Sequence, residues 1–525
     1  MASSAKHFVN DPTLLVNTAL RAVTYTNPAV ALDEEHKIIY RRPTNPPPAK
    51  PSVSIVSGGG SGHEPSFAAM VGPGLLTASV AGTIFASPSA EQIRTAISGR
   101  VPHDAGVLVT VMNYTGDVLN FGMAVEKARA AGVPVEMVVV ADDVSGALAA
   151  RGYDLASVAG VARLAADNLV SVGASLAHVH VPGRREDSEK KDDDDDDALR
   201  ADEVEIGMGI HNEPGSARVQ GVALPALVST MLRQLLDPAD ADRAFVRVPA
   251  TAGGDVVLLV NNLGGVSVLE LGAITAEVVA QLARDWHIRR PVRVLSGTYM
   301  TSLNGLGFSI SLLNVVDTGL GPDGPTLLQL LDDPAEATGW AAPISAATWD
   351  TAAAAQKDAA ASATSRAAVA TSTSTTTIPP SGLHVDPTVF RTALARGLTR
   401  VVDAEPEITQ YDTVVGDGDC GTGMKRGAEA LLEHLSSSAT GLTGDAVVDV
   451  ANLVPVVERS MDGTSGALYA IFLNALVHAL RQQAAGATAA AAGQASVDWA
   501  AALRQSCATL ARYTPARGRG RPCGG

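Results

Sequence analysis

The sequence predicts an α/β domain followed by an all-α one, and three observations carry that expectation. Up to about residue 335, short apolar runs alternate with Ala-rich helical stretches, and each run ends in Gly, Asn, Asp or Ser. Strand C-termini look like this in an α/β sheet, where ligands bind outside the carboxyl ends. From residue 383 onward the apolar residues keep helical spacing with no strand alternation, as in an antiparallel helical bundle. Between 336 and 382 the composition turns to Ala, Ser and Thr and ends in Pro-Pro, the make-up of an interdomain linker. The expected domains are therefore 1–335, a linker at 336–382, and 383–525.

Composition limits what this chain can be. At 525 residues it is too long for one typical domain. Hydrophobic residues make up 46% and aromatics only 4%, so the cores must be built from Ala, Val and Leu. The net charge of -16 argues against a nucleic-acid binder, which would show a basic face. A nucleotide substrate stays open, because a metal can bring positive charge locally. Three cysteines give no disulfide framework and suit a reducing compartment. No apolar run has the length of a signal peptide or a membrane span, so the expectation is a cytoplasmic protein with no membrane contact.

In chain order, "SVSIVSGGGSGHEPSF" is a strand (Val53 to Val56) running into Gly58, Gly59, Gly60, Ser61, Gly62 and His63, with Glu64-Pro65 opening a helix. The glycines permit close backbone approach to a small polar ligand. No Lys-Ser/Thr follows, so this is not a P-loop. His63 reads either as an acid–base group at that mouth or as a helix cap. "AGVLVTVMNYTGD" is a second strand, after which Asp117 opens the helix "DVLNFGMAVEKARAAG". Asp117 is either its N-cap or a carboxylate aimed at His63 across the sheet edge. "PVEMVVVADDVS", "DVVLLVNNLGG" and "PVRVLSGTYMTS" share the strand grammar, and the acidic run at about 184–203 reads as a solvated loop. In "GMGIHNEPG", His211 sits among small, flexible residues. An imidazole so presented is able to act as a nucleophile; the plainer reading of the spacing is a hydrogen-bonded turn histidine.

Two turns stand out in the helical part. In "QYDTVVGDGDCGTGMKRG", Asp412, Asp417 and Asp419 lie at i, i+5 and i+7. Three carboxylates in one Gly-containing turn repel unless a cation such as Mg²⁺ or Ca²⁺ binds, though the spacing is not that of an EF-hand. The turn runs into a helix N-terminus that favours anions, a place for a nucleotide's phosphates; an acidic surface turn is the other reading. "SMDGTSGALYAIFL" breaks one helix and starts another at Asp462 to Gly466, and reads as a phosphate-contacting loop or as a plain turn.

Together, "SGGGSGHEP", "FASPSAEQI", "NYTGDVLNFGMAVEKAR", "VADDVS", "EIGMGIHNEPG", "VNNLGG", "GTYMTSLNGLGFSISLL", "GDGDCGTG" and "GTSGALY" resemble the single-chain ATP-dependent dihydroxyacetone (glycerone) kinases. The resemblance implies an α/β substrate domain and a helical-barrel nucleotide domain. It further implies that His211 holds dihydroxyacetone covalently as a hemiaminal, that Gly60, Ser61, Gly62 and His63 form the substrate loop, and that His63 and Asp117 assist hydroxyl activation. Asp412, Asp417 and Asp419 become Mg²⁺ ligands, and Cys420, Gly421, Thr422, Gly423, Thr464 and Ser465 contact ATP. Glyceraldehyde as a second substrate, splitting of FAD at the nucleotide site, and a homodimer follow from the same resemblance.

Three departures set against this a second reading, a chain that binds dihydroxyacetone without phosphorylating it. Met112 stands in the substrate site where the family usually has Lys. About twenty residues are missing after Ser145, which should expose core and disturb sheet closure. After Arg517 the sequence becomes a basic, Gly-rich tail in place of further helices.

Overall fold

Two strands buried along their whole length, Ser54–Ser61 and Val107–Val111, form the centre of the first sheet, as expected of parallel strands covered on both faces. A computed structural model of the chain describes residues 8–9, 11–44, 46, 50–139, 144–182, 199–200, 202–240, 243–246, 255–288, 291–341, 344–351, 378–415, 418–437, 442–461, 463–486 and 496–513. It comprises two units, Met1–Ser365 and Arg366–Gly525.

The first unit contains two sheets where the strand grammar suggested one. The first sheet is formed by β1 (Val30–Asp33), β2 (Ile38–Arg41), β3 (Ser54–Ser61), β4 (Ala78–Ile84), β5 (Val107–Val111) and β6 (Val135–Val139), in the order β1-β2-β4-β3-β5-β6. β4, β3, β5 and β6 run parallel, and β1 and β2 add an antiparallel edge. Helices α1 (Pro12–Thr26), α2 (Ala90–Thr95), α3 (Thr115–Ala130), α4 (Val144–Ala150) and α5 (Leu155–Asp167) accompany it. α3 buries Phe121, Ala124, Val125 and Ala128, the i, i+3, i+4, i+7 stripe of a helix laid on a sheet.

The second sheet has the order β11-β10-β12-β7-β8-β9. Its strands are β7 (Leu169–Ser175), β8 (Glu203–Ile206), β9 (Ala217–Gln220), β10 (Val256–Asn262), β11 (Arg293–Gly297) and β12 (Gly307–Asn314), with α6 (Leu224–Leu236), α7 (Val268–Asp285) and α8 (Leu327–Leu331). Only β10 and β11 pair in parallel. α6 and α7 cover it with Leu227, Met231, Leu235, Ile274, Val278 and Leu282. Each such side chain contributes about 1.5–3 kcal/mol of burial.

Four sequence expectations change here. The glycine run is not a loop: β3 continues through Ser61, with a register shift between Gly59 and Ser61. A Cβ on Gly58 would lie 2.2 Å from the Val80 carbonyl oxygen, so glycine is what lets β3 and β4 approach. After Glu64-Pro65 only a 3₁₀ turn forms, at Ala68–Met70. Gly72 follows, with its backbone so close to Glu336 that a Cβ there would lie 2.0 Å from the Glu336 oxygen. Residues 336–340, assigned to the linker by composition, instead pack on this unit: Glu336 N–H donates to Pro73, Gly339 N–H to Ala69, and Trp340 lies against Tyr299. Finally, among the described residues the segment directly after Ser145 is packed rather than left exposed. α4 buries Ala147, Leu148 and Ala149, and Gly146 seats its backbone against Leu75. The acidic run falls largely on residues 183–198, outside the described residues.

The second unit is helical: α9 (Pro387–Asp403), α10 (Glu405–Val415), α11 (Cys420–Ser436), α12 (Ala446–Ser460), α13 (Gly463–Gly486) and α14 (Trp499–Leu510). It has its own core, with Leu383, Val447, Val450, Val454, Leu476 and Leu480 at its centre. Asp445 caps α12 by accepting from Val447 and Val448 N–H, and also accepts from Ser381 and Gly382, which ties the start of the unit to that helix. No described helix is long and apolar enough to cross a membrane.

Candidate active site

His63 lies just beyond the end of β3 and is fully buried. The segment after β11 wraps it. Thr301 N–H donates to the His63 carbonyl at 3.2 Å, Leu303 N–H to Gly62 at 2.7 Å, and Ser66 Oγ–H to Tyr299 at 2.8 Å. Asn261 at the end of β10 holds this segment by accepting from Tyr299 and Met300 N–H. The strand-end polar residues here therefore fold backbone. His63 Nδ1 lies 2.8 Å from the Thr301 carbonyl oxygen, and its ring stacks on Phe85 with centroids 5.3 Å apart. Burial lowers its pKa to about 4, against the opposing effect of the Thr301 carbonyl, so the ring is neutral at neutral pH.

His211 comes from the second sheet. Its loop follows β8, and Gly207 at φ +76° and Asn212 at φ +66° make the reversal. Asn212 exchanges two hydrogen bonds with the Val179 backbone, Ser302 Oγ–H donates to the Ile210 carbonyl, and Gly215 N–H donates to Glu205. Glu205 is itself buried and bonded to His178. These bonds set His211 Nε2 3.0 Å from His63 Nε2. Glu213 grips the same residue twice, with Oε1 3.1 Å from Nδ1 and Oε2 accepting the His211 N–H at 3.0 Å. Phe85 and Tyr114 wall the imidazole, with centroids 5.0 and 4.7 Å away.

Asp117 is the third residue of α3 and caps nothing: Tyr114 occupies the N-cap position. The Asp117 side chain is 1% exposed, and Oδ1 has no hydrogen-bond partner. Burial raises its pKa, while the Ser87 hydroxyl and the charge of His211 pull it down. A Cβ on Gly59 would lie 3.4 Å from both Asp117 Oδ2 and Met112 Cε, so that glycine keeps space open beside the carboxylate. Met112 is buried and brings no charge. The rest of the glycine segment is committed to structure. Gly60 leaves 2.9 Å between a would-be Cβ and Ala86 N, Ser61 Oγ–H donates to the Gly82 carbonyl, and Gly62 N–H donates to Glu64.

The structure thus brings His63 and His211 into contact, with Asp117 close enough to feel the charge of His211. Glu213, Thr301, Phe85, Tyr114 and Ser87 join them without having been singled out from the sequence. Glu213 carried a readable signal, a carboxylate two positions from His211. Thr301 and Phe85 carried none.

In the second unit, Asp412 lies in the last turn of α10 and accepts the Cys420 N–H at 3.0 Å. Asp419 precedes α11 and makes no side-chain capping bond. Asp417 lies outside the described residues, as does Asp462. Among the described residues no three His, Cys, Asp or Glu side chains gather as a metal site. Cys420 Sγ is 3.4 Å from Ser465 Oγ, so the N-termini of α11 and α13 meet, and Thr422, Gly423 and Thr464 lie in those first turns. Gly421 lets α11 approach α10: a Cβ there would be 2.2 Å from Thr409 Oγ1 and 2.6 Å from the Glu405 oxygen. Two helix N-termini and hard carboxylate oxygens form a setting for an anion and a divalent cation.

Comparison with known proteins follows this division. The Dak1 domain matches residues 21–146 and 144–339, and the DAK2 domain matches 414–521. A dihydroxyacetone kinase of Pichia angusta is 38% identical over 98% of this chain and 85% of the relative. The triokinase/FMN cyclase of Bos taurus is 34% identical over 91% of this chain and 80% of the relative. The crystal structure of the C. freundii dihydroxyacetone kinase in complex with AMP-PNP and Mg²⁺ superposes with a TM-score of 0.62. It is 28% identical and covers 97% of this chain and 87% of its own.

Proposed function

We infer that this chain, which belongs to the dihydroxyacetone kinase family, transfers the γ-phosphoryl group of ATP to a hydroxyl of dihydroxyacetone. The observation that carries this reading is the meeting of His211 and His63, 3.0 Å apart, against the rings of Phe85 and Tyr114 and beside Asp117. In it, His211 Nε2 adds to the ketone carbon and holds the substrate as a hemiaminal. A three-carbon ketone offers few groups to grip. A covalent tether fixes its free hydroxyl and makes the transfer effectively unimolecular. Glycerol has no carbonyl and escapes the tether, whereas glyceraldehyde has one and is accepted by the same route.

Asp117 and His63 then take the hydroxyl proton. A carboxylate whose pKa is raised by burial is a better base than an exposed one. Met112 adds no positive charge beside that carboxylate, leaving the Ser87 hydroxyl and His211 as the groups that favour its ionised form. Asp412 and Asp419, together with Asp417, offer the oxygen donors that suit Mg²⁺, which when bound neutralises charge on the phosphates. The first turns of α11 and α13, with Cys420, Gly421, Thr422, Gly423, Thr464 and Ser465, present N–H and hydroxyl donors to those phosphates.

FMN-cyclase activity at the same nucleotide site is a second reading, favoured by the bovine relative named for both reactions. A homodimer and a cytoplasmic location complete the proposal. With the purified full chain, Mg²⁺ and ATP, ADP release is expected to depend on dihydroxyacetone and to be abolished in His211→Ala. ADP release that survives this substitution, or a wild-type chain that releases none, refutes the reading.

A further inference from the structure

Hydrogen bonds around His63 and His211 can be assigned one proton at a time. His63 Nδ1 faces a carbonyl oxygen, that of Thr301, at 2.8 Å. A carbonyl only accepts, so Nδ1 carries hydrogen. In a neutral ring the other nitrogen is then an acceptor, and burial keeps His63 neutral at neutral pH. His211 Nε2, 3.0 Å away, must therefore donate. His211 Nδ1 faces Glu213 Oε1 at 3.1 Å, while Glu213 Oε2 accepts the His211 N–H. An ionised carboxylate also only accepts. Burial opposes ionisation of Glu213, but its bonds from backbone N–H groups and from His211 outweigh this and lower its pKa. Both nitrogens of His211 then carry hydrogen. The other charged or titratable groups facing the ring are Asp117 and the Tyr114 hydroxyl-bearing ring, and neither touches a ring nitrogen through a hydrogen bond given by the structure.

We propose that Glu213 is a positioning residue for ketone capture, holding His211 as an imidazolium whose Nδ1–H stays on the carboxylate while its Nε2–H is handed on. The proposal rests on the reading of His211 as the covalent hook. The Nε2–H bond breaks and its proton passes to His63 Nε2. The freed Nε2 pair bonds to the ketone carbon, the C=O π pair moves to oxygen, and that oxygen takes the proton from His63. The hemiaminal is an N-substituted imidazolium with Nδ1–H still on Glu213, and His63 is again neutral with a free Nε2. Two consequences follow for this site. The cation formed on the substrate-bearing ring keeps its counter-ion throughout, and His63 is restored as an acceptor for the later hydroxyl proton. Glu213 does this without touching the ketone, by acting through the far side of the ring, as the third member of a nucleophile–base–orienter set does.

The test uses the full chain labelled with ¹⁵N-histidine, and [2-¹³C]dihydroxyacetone as the probe. Without ketone at neutral pH, the wild-type His211 resonances, assigned by their loss in His211→Ala, are expected to report both ring nitrogens protonated. In Glu213→Gln only one should be. With ketone, the wild type should convert the ¹³C carbonyl signal into a hemiaminal signal. Glu213→Gln should weaken capture at least about tenfold, and Glu213→Asp should restore part of it. A merely structural role would not move the ring protonation. If the wild-type His211 carries a single ring proton, or if Glu213→Gln captures ketone as the wild type does, the proposal is overturned while the hook reading stands. If the wild type forms no ¹³C adduct at all, the hook reading itself fails. Should Glu213→Gln not fold, the wild-type ring signature and Glu213→Asp still decide the matter.

Discussion

His63 holds its neutral form at a cost in acid stability. The folded ring takes up a proton at about 4, whereas a free histidine does so at 6.5. Between those values the unfolded chain binds the extra proton, so stability present above pH 6.5 is lost as pH falls toward 4. For a fully buried ring the total is on the order of 3 kcal/mol. Denaturant unfolding measured across this window is expected to steepen with acid in the wild type and to lose most of that slope in His63→Gln. An equal slope in both proteins would show that other groups dominate. Asp117 works in the opposite sense, since its raised pKa makes ionisation unfavourable to the fold. Burial thus disfavours the charged form of both groups proposed to take the substrate's hydroxyl proton, raising the Asp117 carboxyl toward neutrality and lowering the His63 imidazole away from it.

At the level of elements, the site depends on how closely backbones approach. β3 reaches β4 because Gly58 has no side chain, and α10 reaches α11 because Gly421 has none. Gly421→Ala would push a methyl group into Thr409 and the Glu405 carbonyl, an overpacking of about 2 kcal/mol. It would part Asp412 from the Cys420 N–H. ADP release is expected to drop at least about tenfold, with capture of ¹³C-labelled ketone on His211 unchanged. Unchanged ADP release would remove the Asp412–Cys420 corner from the nucleotide site.

This scale also explains what could be read in advance. His63, Asp117 and His211 were legible because each follows an apolar run and sits beside glycines. Glu213 lay in plain view next to His211. The continuation of β3 through its glycines was not legible, since glycine carries no strand preference and the pairing is decided by β4. The split into two sheets was not legible either, because both sheets use the same apolar runs. Thr301 and Phe85 meet His63 only through tertiary folding, and no local pattern announces such contacts.

For the whole molecule, two units with separate cores predict separate melting. Leu383, Val447 and Leu480 anchor the helical unit, while the α/β unit has cores of its own around Ile55, Leu108 and Leu258. Calorimetry of the full chain is expected to resolve two transitions. Dihydroxyacetone should raise only one of them and Mg²⁺ with a nucleotide only the other, each by the mass action of its ligand on the unit that binds it. A single transition moved by both ligands would mean that the units unfold as one.

The pairing of His63 with His211 joins residues 148 positions apart, and Thr301 is 238 positions from His63. A nascent chain on the ribosome, or one awaiting degradation, therefore displays only ordinary imidazoles. On the proposed reading of His211 as the hook, reactivity toward ketones is born with the finished tertiary structure and dies with it. On that same reading, a captured three-carbon ketone would certify that both sheets have come together correctly.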